Sequence, residues 1–313
     1  MNRFRSEDGQ VTILAAVIMA FLVAMVAFVL DIGSWFREQR AAQSTVDAAA
    51  LAGAQALPLD PAQAMTIAND YANQNGGASG VTVTVGTKWV PNDEITVTAD
   101  KPAEGLFSKI LGITTVTVHA HASAVSELPP EVNGVAPIVV NILHPMLTGA
   151  GCGTTSPCFG PANPTTIPLA SNGAPGAFDL IDLDPNDQNG TIGASTIGNW
   201  IQNGFNANLP LKDYYSRPGA AWNNSQIQGA LLNKNGKELL FPVYDILSGG
   251  GSNADYHVIA WVGFHLTGEV AANGSTGSIT GYFTRIVRVG IVSSTGPPTN
   301  TPDLGVRSVA LIN

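Results

Sequence analysis

Charge is scarce in this sequence. Of its 313 residues only 12% are Asp, Glu, Lys or Arg, against about 25% in ordinary soluble domains. The balance is acidic, with 14 Lys and Arg against 23 Asp and Glu for a net charge of −9. Basic residues gather only as the short pairs Arg3/Arg5 and Arg37/Arg40. With no clustered basic face to meet phosphates, a nucleic-acid partner is excluded. Cysteine is scarcer still: Cys152 and Cys158 are the only two, too few for a disulfide scaffold and without the companions of a zinc site. Their spacing allows one seven-residue ring in an oxidising compartment, or two free thiols, and lacks the CxxC pattern of redox catalysis. Catalytic signatures are missing as well. There is no GxSxG elbow, phosphate-binding P-loop or HExxH pair, and Gly249-Gly250-Gly251 runs into Ser-Asn, a turn. No enzyme, small-molecule substrate or cofactor is therefore expected.

What the chain does have is one long apolar run. Val11 to Leu30, VTILAAVIMAFLVAMVAFVL, is twenty residues without a charge, and at about 1.5 Å per residue it matches a hydrocarbon core of about 30 Å. A cleaved signal has an apolar region of about 7–15 residues and a small-x-small site. This run is longer and continues into Asp31-Ile-Gly-Ser-Trp-Phe-Arg, so we read it as a retained single-pass anchor. Residues 1–10 are placed in the cytoplasm and the body outside, with Trp35 and Phe36 at the outer interface. Asp31 is costly at the bilayer centre, so it marks the interface or pairs with a neighbouring subunit. Residues 34–57, Ala-rich and free of Pro, continue the helix. Within them Ala48/Ala52 and Ala49/Gly53 are small residues four apart, the spacing that lets two helices approach closely. A plain Ala-rich helix without a partner is the other reading.

The remaining pattern is α+β. A helix from Pro61 to Gly76 precedes alternating Val/Thr strands at 81–85, 94–99 and 114–125, with GLFSKILGI (105–113) as a short helix or turn covering one face of that sheet. Pro129-Pro130 marks a linker at 127–134. Residues 135–313 form a strand-rich domain, with strands at 135–143, 239–246, 257–266, 278–289 and 307–312 and helices at 195–206 and 223–234. The expected fold is thus a long N-terminal transmembrane helix continuing outward, a small helix-plus-sheet unit over 31–126, and a strand-rich α+β extracytoplasmic domain. Among oxygen-rich stretches, Asp182-Leu-Asp184-Pro-Asn-Asp187 suits either calcium or a hydrogen-bonded turn. It is not an EF-hand, because Asp187 occupies the place of the required Gly and Gly193 that of the required Glu. His119 and His121, two apart on a strand, share a face, but no third ligand accompanies them. His257 and His265 suggest no dyad.

Residues 9–57, from Gly9-Gln10 through Asp31-Ile-Gly33, Arg40 and Gln43 to Asp47-Ala-Ala-Ala-Leu-Ala-Gly-Ala54, resemble the N-terminal module of TadG-like and TadE-like proteins of tight-adherence (Tad/Flp) pilus assembly. The likeness extends more loosely to about residue 126. It implies a non-enzymatic component of a pilus-assembly and secretion machine in the bacterial cytoplasmic (inner) membrane, an accessory protein or minor pilin-like subunit. Its partners would be other Tad/Flp membrane proteins or pilins and membrane lipid. Gly9-Gln10 stands where a prepilin-type peptidase cuts, although Leu14 occupies the position at which pilin-like proteins carry Glu. On this reading Ala48, Ala49, Ala52 and Gly53 pack against neighbouring components, and Asp31 and Asp47 mark interfaces. The alternative function is a membrane-tethered adhesion module that binds calcium through Asp182, Asp184 and Asp187.

Overall fold

In the computed structural model, described over residues 8–76, 79–169, 179–184, 191–216, 222, 224–249, 254–273, 276–288, 296–298 and 300–312, the chain opens with one 47-residue helix, α1 (Asp8–Ala54). No Pro falls within it and Ala dominates its second half, so nothing breaks the backbone ladder before Pro58. Its surroundings change along its length. Every residue from Val11 to Leu30 is exposed apart from the half-buried Ala27, whereas Ala42, Val46, Ala49, Ala50 and Ala54 are all within 1% of full burial. The chain divides into two compact units, residues 1–126 with 310–313, and residues 127–309.

The first unit sets α1 beside α2 (Pro61–Gly76) and an antiparallel meander of β1 (Ser79–Gly86), β2 (Glu94–Glu104) and β3 (Thr115–Glu127). Asp60 caps α2, its Oδ1 accepting from the Gln63 N–H at 2.8 Å, and Pro61 takes the first helical position, where no N–H is needed. Ala64, Ala68 and Ala72, four apart and fully buried, form the inner stripe of α2. The inward residues of β2 are Ile95, Val97, Ala99 and Ala103. A core built so largely of alanine brings backbones close together. A Cβ on Gly53 would lie 2.6 Å from Ile95 Cδ1 and 2.9 Å from the Ala64 carbonyl oxygen. Where the sequence suggested a neighbouring subunit over Ala49, Ala52 and Gly53, the structure has the chain's own α2 and β2; Ala48 alone of the four is exposed. At the turn before β2, buried Asp93 accepts from the N–H groups of Lys88 (2.6 Å), Trp89 (2.8 Å) and Val90 (2.9 Å).

The second unit holds a sheet in the order β5-β9-β10-β11-β6, formed by β5 (Val140–Asn141), β9 (Glu238–Ser248), β10 (Asp255–Asn273), β11 (Thr276–Thr284) and β6 (Thr165–Leu169), with β8 (Asp213–Tyr215) also pairing with β10. Helices α4 (Ala194–Asn203) and α5 (Ser225–Asn233) contribute Ile197, Ile201, Ile227 and Leu231 to one core with Phe241, Val262 and Phe264. Leu240, Tyr244, Val258 and Trp261 enter a second core. With apolar partners for both alternating sets, β9 is buried without interruption from Leu239 to Tyr244, which explains its continuous apolar run. A four-residue helix, α3 (Pro145–Thr148), leads into the disulfide between Cys152 and Cys158, whose Cα atoms are 6.2 Å apart.

Three sequence expectations change. The 127–134 stretch is folded, since β4 (Glu131–Val132) pairs with β7 (Leu209–Pro210) and Val132 is buried. Residues 135–140 are buried as expected, but Asn141 and Ile142 are half-buried and Leu143 is exposed, and the stretch gives only the two-residue β5, because Pro137 lacks an N–H and Val135 bridges Phe205 and Leu240 instead. The strand at 278–289 is interrupted at Arg285, after which β12 (Ile286–Arg288) turns to pair in parallel with β13 (Val306–Ile312). The final residues of β13, from Ala310, belong to the first unit.

Replacing Gly53 by Leu is expected to destabilise the first unit by about 1–3 kcal/mol through overpacking, whereas A48L on the exposed side leaves it unchanged. Thermal melts of the detergent-solubilised chain check this contrast.

Candidate functional site

The chemistry of the first unit concentrates where α1 leaves its apolar run. Asp31 is only 2% exposed. Its carboxylate accepts from the N–H groups of Leu106 (2.7 Å), Phe107 (3.1 Å to each oxygen) and Ser108 (2.5 Å). These donors open the 3-10 turn Ser108–Leu111 between β2 and β3, and the first N–H groups of a helical turn have no partners within it. An anionic acceptor therefore satisfies three otherwise orphaned donors at once. Gly112, in the left-handed conformation at φ 84°, closes the turn.

Seven residues and two turns further along α1, on the same face, Glu38 Oε2 lies 3.0 Å from Lys101 Nζ of β2. The hydrogen bond and the charge of Lys101 hold the Glu38 carboxyl below the usual glutamate range. Beyond it, Gln43 Nε2 donates to Asp47 Oδ1 and to the His121 carbonyl oxygen, each at 2.8 Å. Asp31, Glu38 and the Gln43–Asp47 pair thus form a polar series that fastens the helix to the hairpin of β2 and β3. Between α1 and the turn runs a groove of about 280 Å³, lined by Ala20, Ala24, Ala27 and Phe28 on one side and Ile110 and Leu111 on the other.

The helix itself matches one family model, described as putative Flp pilus-assembly TadE/G-like, over residues 9–56. Residues 9–56 are thus similar to a TadE/G-like module. No curated protein and no solved structure matches the chain. The module ends just past α1 and before α2, so it comprises the apolar segment, Asp31, Glu38, Gln43, Asp47 and the buried alanine stripe. Among the described residues, one helix, near the N-terminus, is long and apolar enough to cross a membrane.

The structure distributes the other residues singled out from the sequence. Gly9 and Gln10 lie in the first turn of α1. Asp47 receives Gln43 as above. Asp31 meets the chain's own β2–β3 turn, and the segment 105–113, expected to cover the sheet, lies instead beside α1 with no residue of its turn buried. His119 and His121 do share the outer face of β3, and His119 Nδ1 is 2.6 Å from Asp100 Oδ1. His257 pairs with Asp245 at 2.7 Å and His265 with Glu238 at 3.3 Å. In the acidic loop, Asp182 is 7% exposed and accepts from the Asp184 N–H at 2.8 Å, the geometry of a hydrogen-bonded turn; Asp187 lies outside the described residues. In the second unit a cleft of about 400 Å³ is bordered by Asn141, His144, Ile167, Asp179 and Tyr244. Burial lowers the pKa of His144, whose Nδ1 accepts from the Met146 N–H at 3.2 Å.

Sequence reasoning missed Lys101, Asp93 and the backbone donors at 106–108. Lys101 carried a signal: within β2 it falls in phase with Ile95, Val97 and Ala99, so a charge on the helix-facing side called for an acidic partner on α1. The backbone donors carry none, because any residue supplies them.

Two outcomes follow. D31A strips the acceptor from three N–H groups and is expected to accelerate hydrogen–deuterium exchange across 105–113 while β1 keeps its protection, as read by mass spectrometry. For Glu38 the folded-state pKa is depressed, so its contribution is present above the unfolded value of about 4.3 and fades as pH falls through the folded value. The melting-temperature advantage of the wild type over E38Q is therefore expected at neutral pH and absent once the pH drops below the glutamate range.

Proposed function

We propose that this chain is a non-enzymatic, membrane-anchored component of a Tad/Flp-type pilus-assembly and secretion system, an accessory assembly protein or minor pilin-like subunit. The observation that carries the reading is the coincidence of the matched module, residues 9–56, with a single helix that is bare over 11–30 and from Ala42 onward buried along one side. An exposed apolar surface of that length is not sustained in water, so the bare half calls for lipid. The buried half calls for the small unit that encloses it. The anchor lies in the bacterial cytoplasmic membrane with a single pass. The body is extracytoplasmic, a placement favoured by the Cys152–Cys158 disulfide, since disulfides persist in oxidising compartments. The partners are other pilus-assembly membrane proteins or pilins, met through the surfaces of the two units rather than through the alanine stripe, which the chain fills itself.

The test uses the native host. The full chain is expected to resist carbonate extraction and to be degraded from outside in spheroplasts. Its deletion is expected to remove surface pili, and full-length protein to restore them. A version in which a cleavable signal replaces residues 1–30 is expected to fold and be secreted without restoring pili. A native product that is freely soluble and begins downstream of Leu30 would refute the reading.

A further inference from the structure

The β2–β3 turn is unusual for a hairpin connection because it exposes its largest side chains. Leu106 is 61% exposed, Ile110 84% and Leu111 82%, with Phe107 and Ile113 also open. Five large apolar residues in eight positions make a contiguous surface that water disfavours. The position of this turn along α1 decides what covers it. Its start is tied to Asp31, at the end of the charge-free run, and Ile110 and Leu111 face Ala20, Ala24, Ala27 and Phe28 across the groove. Those helix residues precede Asp31, on the side that enters the membrane. The turn therefore extends from Asp31 back along the apolar segment, alongside residues that are themselves bare. On the other side of Asp31 the surface becomes basic and aromatic: Arg37 and Phe36 are exposed, and Arg37 lies six residues, about 9 Å, beyond Asp31. Lys109, held 2.9 Å from Glu104, adds a cation beside the apolar tip. Apolar side chains below and cations above match the order of acyl chains and headgroups in one leaflet.

We propose that residues 106–113 form a second membrane contact, dipping Leu106, Phe107, Ile110, Leu111 and Ile113 into the outer leaflet beside the anchor. The occupant of the groove and of the exposed turn is lipid acyl chain, because Ile110 and Leu111 lie alongside the bare surface of α1 while Lys109 is held to Glu104 and Asp31 is satisfied by the turn's own N–H groups. This contact rests on the reading that residues 11–30 span the membrane. It goes further by giving the first unit a fixed height and tilt at the bilayer, which a lone helix does not supply.

The native cysteines are bridged to each other, so a single introduced thiol can be labelled alone. The full chain carrying I110C, V17C or K88C is labelled with an environment-sensitive nitrobenzoxadiazole dye. Each is placed in nanodiscs of zwitterionic and anionic phospholipid with and without nitroxide-bearing acyl chains. Ile110 and Lys88 are exposed, so neither change disturbs packing, and Lys88 lies by the β1–β2 turn at the opposite end of β2. The expected result is a loss of fluorescence at I110C approaching that at V17C, with blue-shifted emission, and none at K88C. If V17C is quenched while I110C behaves like K88C, the turn is not in the leaflet and the anchor reading stands without it. If neither V17C nor I110C is quenched, both readings fail. Blue-shifted I110C emission that nitroxide lipids leave unquenched and that grows with protein per disc assigns the turn to a second copy, and overturns the lipid contact.

Discussion

A helix can stand bare in hydrocarbon, because all its backbone groups are paired internally, but in water its apolar face must be covered. On the proposed membrane placement, the first unit is organised around the point at which α1 passes from the first condition to the second. Asp31 occupies that point. A carboxylate there is too costly to leave among lipid tails, and the hairpin turn has backbone donors with no acceptor of their own. Each group removes the other's penalty. The result is a joint between the apolar segment and a turn about 75 residues distant in sequence.

Above that joint the physics changes from charge to volume. The buried half of α1 presents almost nothing larger than valine, and α2 answers with Ala64, Ala68 and Ala72. Alanine contributes little apolar area per residue, so stability has to come from close backbone approach and many small contacts. That makes the core intolerant of added volume, most of all at Gly53, where a backbone oxygen and a neighbouring side chain already occupy the space of a Cβ. The Glu38–Lys101 ion pair ties α1 to β2, and the bond from Gln43 to the His121 carbonyl ties it to β3. They fix the register of helix against hairpin, a task that a smooth alanine surface performs poorly by itself.

How much of this was legible in the sequence follows from which signals are local. The apolar run, the unbroken helix read to residue 57 and ending at Ala54, the start of α2 at Pro61 and the Val/Thr alternation of the first three strands are all properties of neighbouring residues, and they point to the α+β architecture. The small-residue spacing at Ala49 and Gly53 was also visible, but spacing reports only that something packs closely. It cannot distinguish a second chain from a helix ten residues downstream. The same ambiguity held for Asp31, whose partners are main-chain groups without a side-chain signature. In the second unit, the apolar run VAPIVVNIL is buried over 135–140 but not at Leu143, and its strand shrinks to two residues, because composition registers apolarity while Pro137 and a change of bridging partners decide pairing. The return of residues 310–313 to the first unit is a long-range closure that no local pattern announces.

On the proposed anchoring role, what matters is whether load on the folded unit reaches the apolar segment. A flexible linker between membrane and domain would let the domain swing and dissipate force through its own conformational freedom. Here no such linker exists between the apolar segment and the core of the first unit: α1 is continuous from Asp8 to Ala54, and its buried end lies inside the structure it supports. Force on the β2–β3 hairpin passes to the helix laterally through Lys101 and Glu38 and through the turn at Asp31, rather than only along the chain. The hydrogen bonds at Asp31 and the ion pair at Glu38 lie about 10 Å apart along the axis, two turns of helix. Two attachments at that separation resist rotation of the hairpin against the helix in a way that either alone does not. A module whose sequence consists almost wholly of an anchor and an alanine stripe thus acquires its stiffness from a few polar positions, Asp31 and Glu38 on one face and Gln43 at the His121 carbonyl.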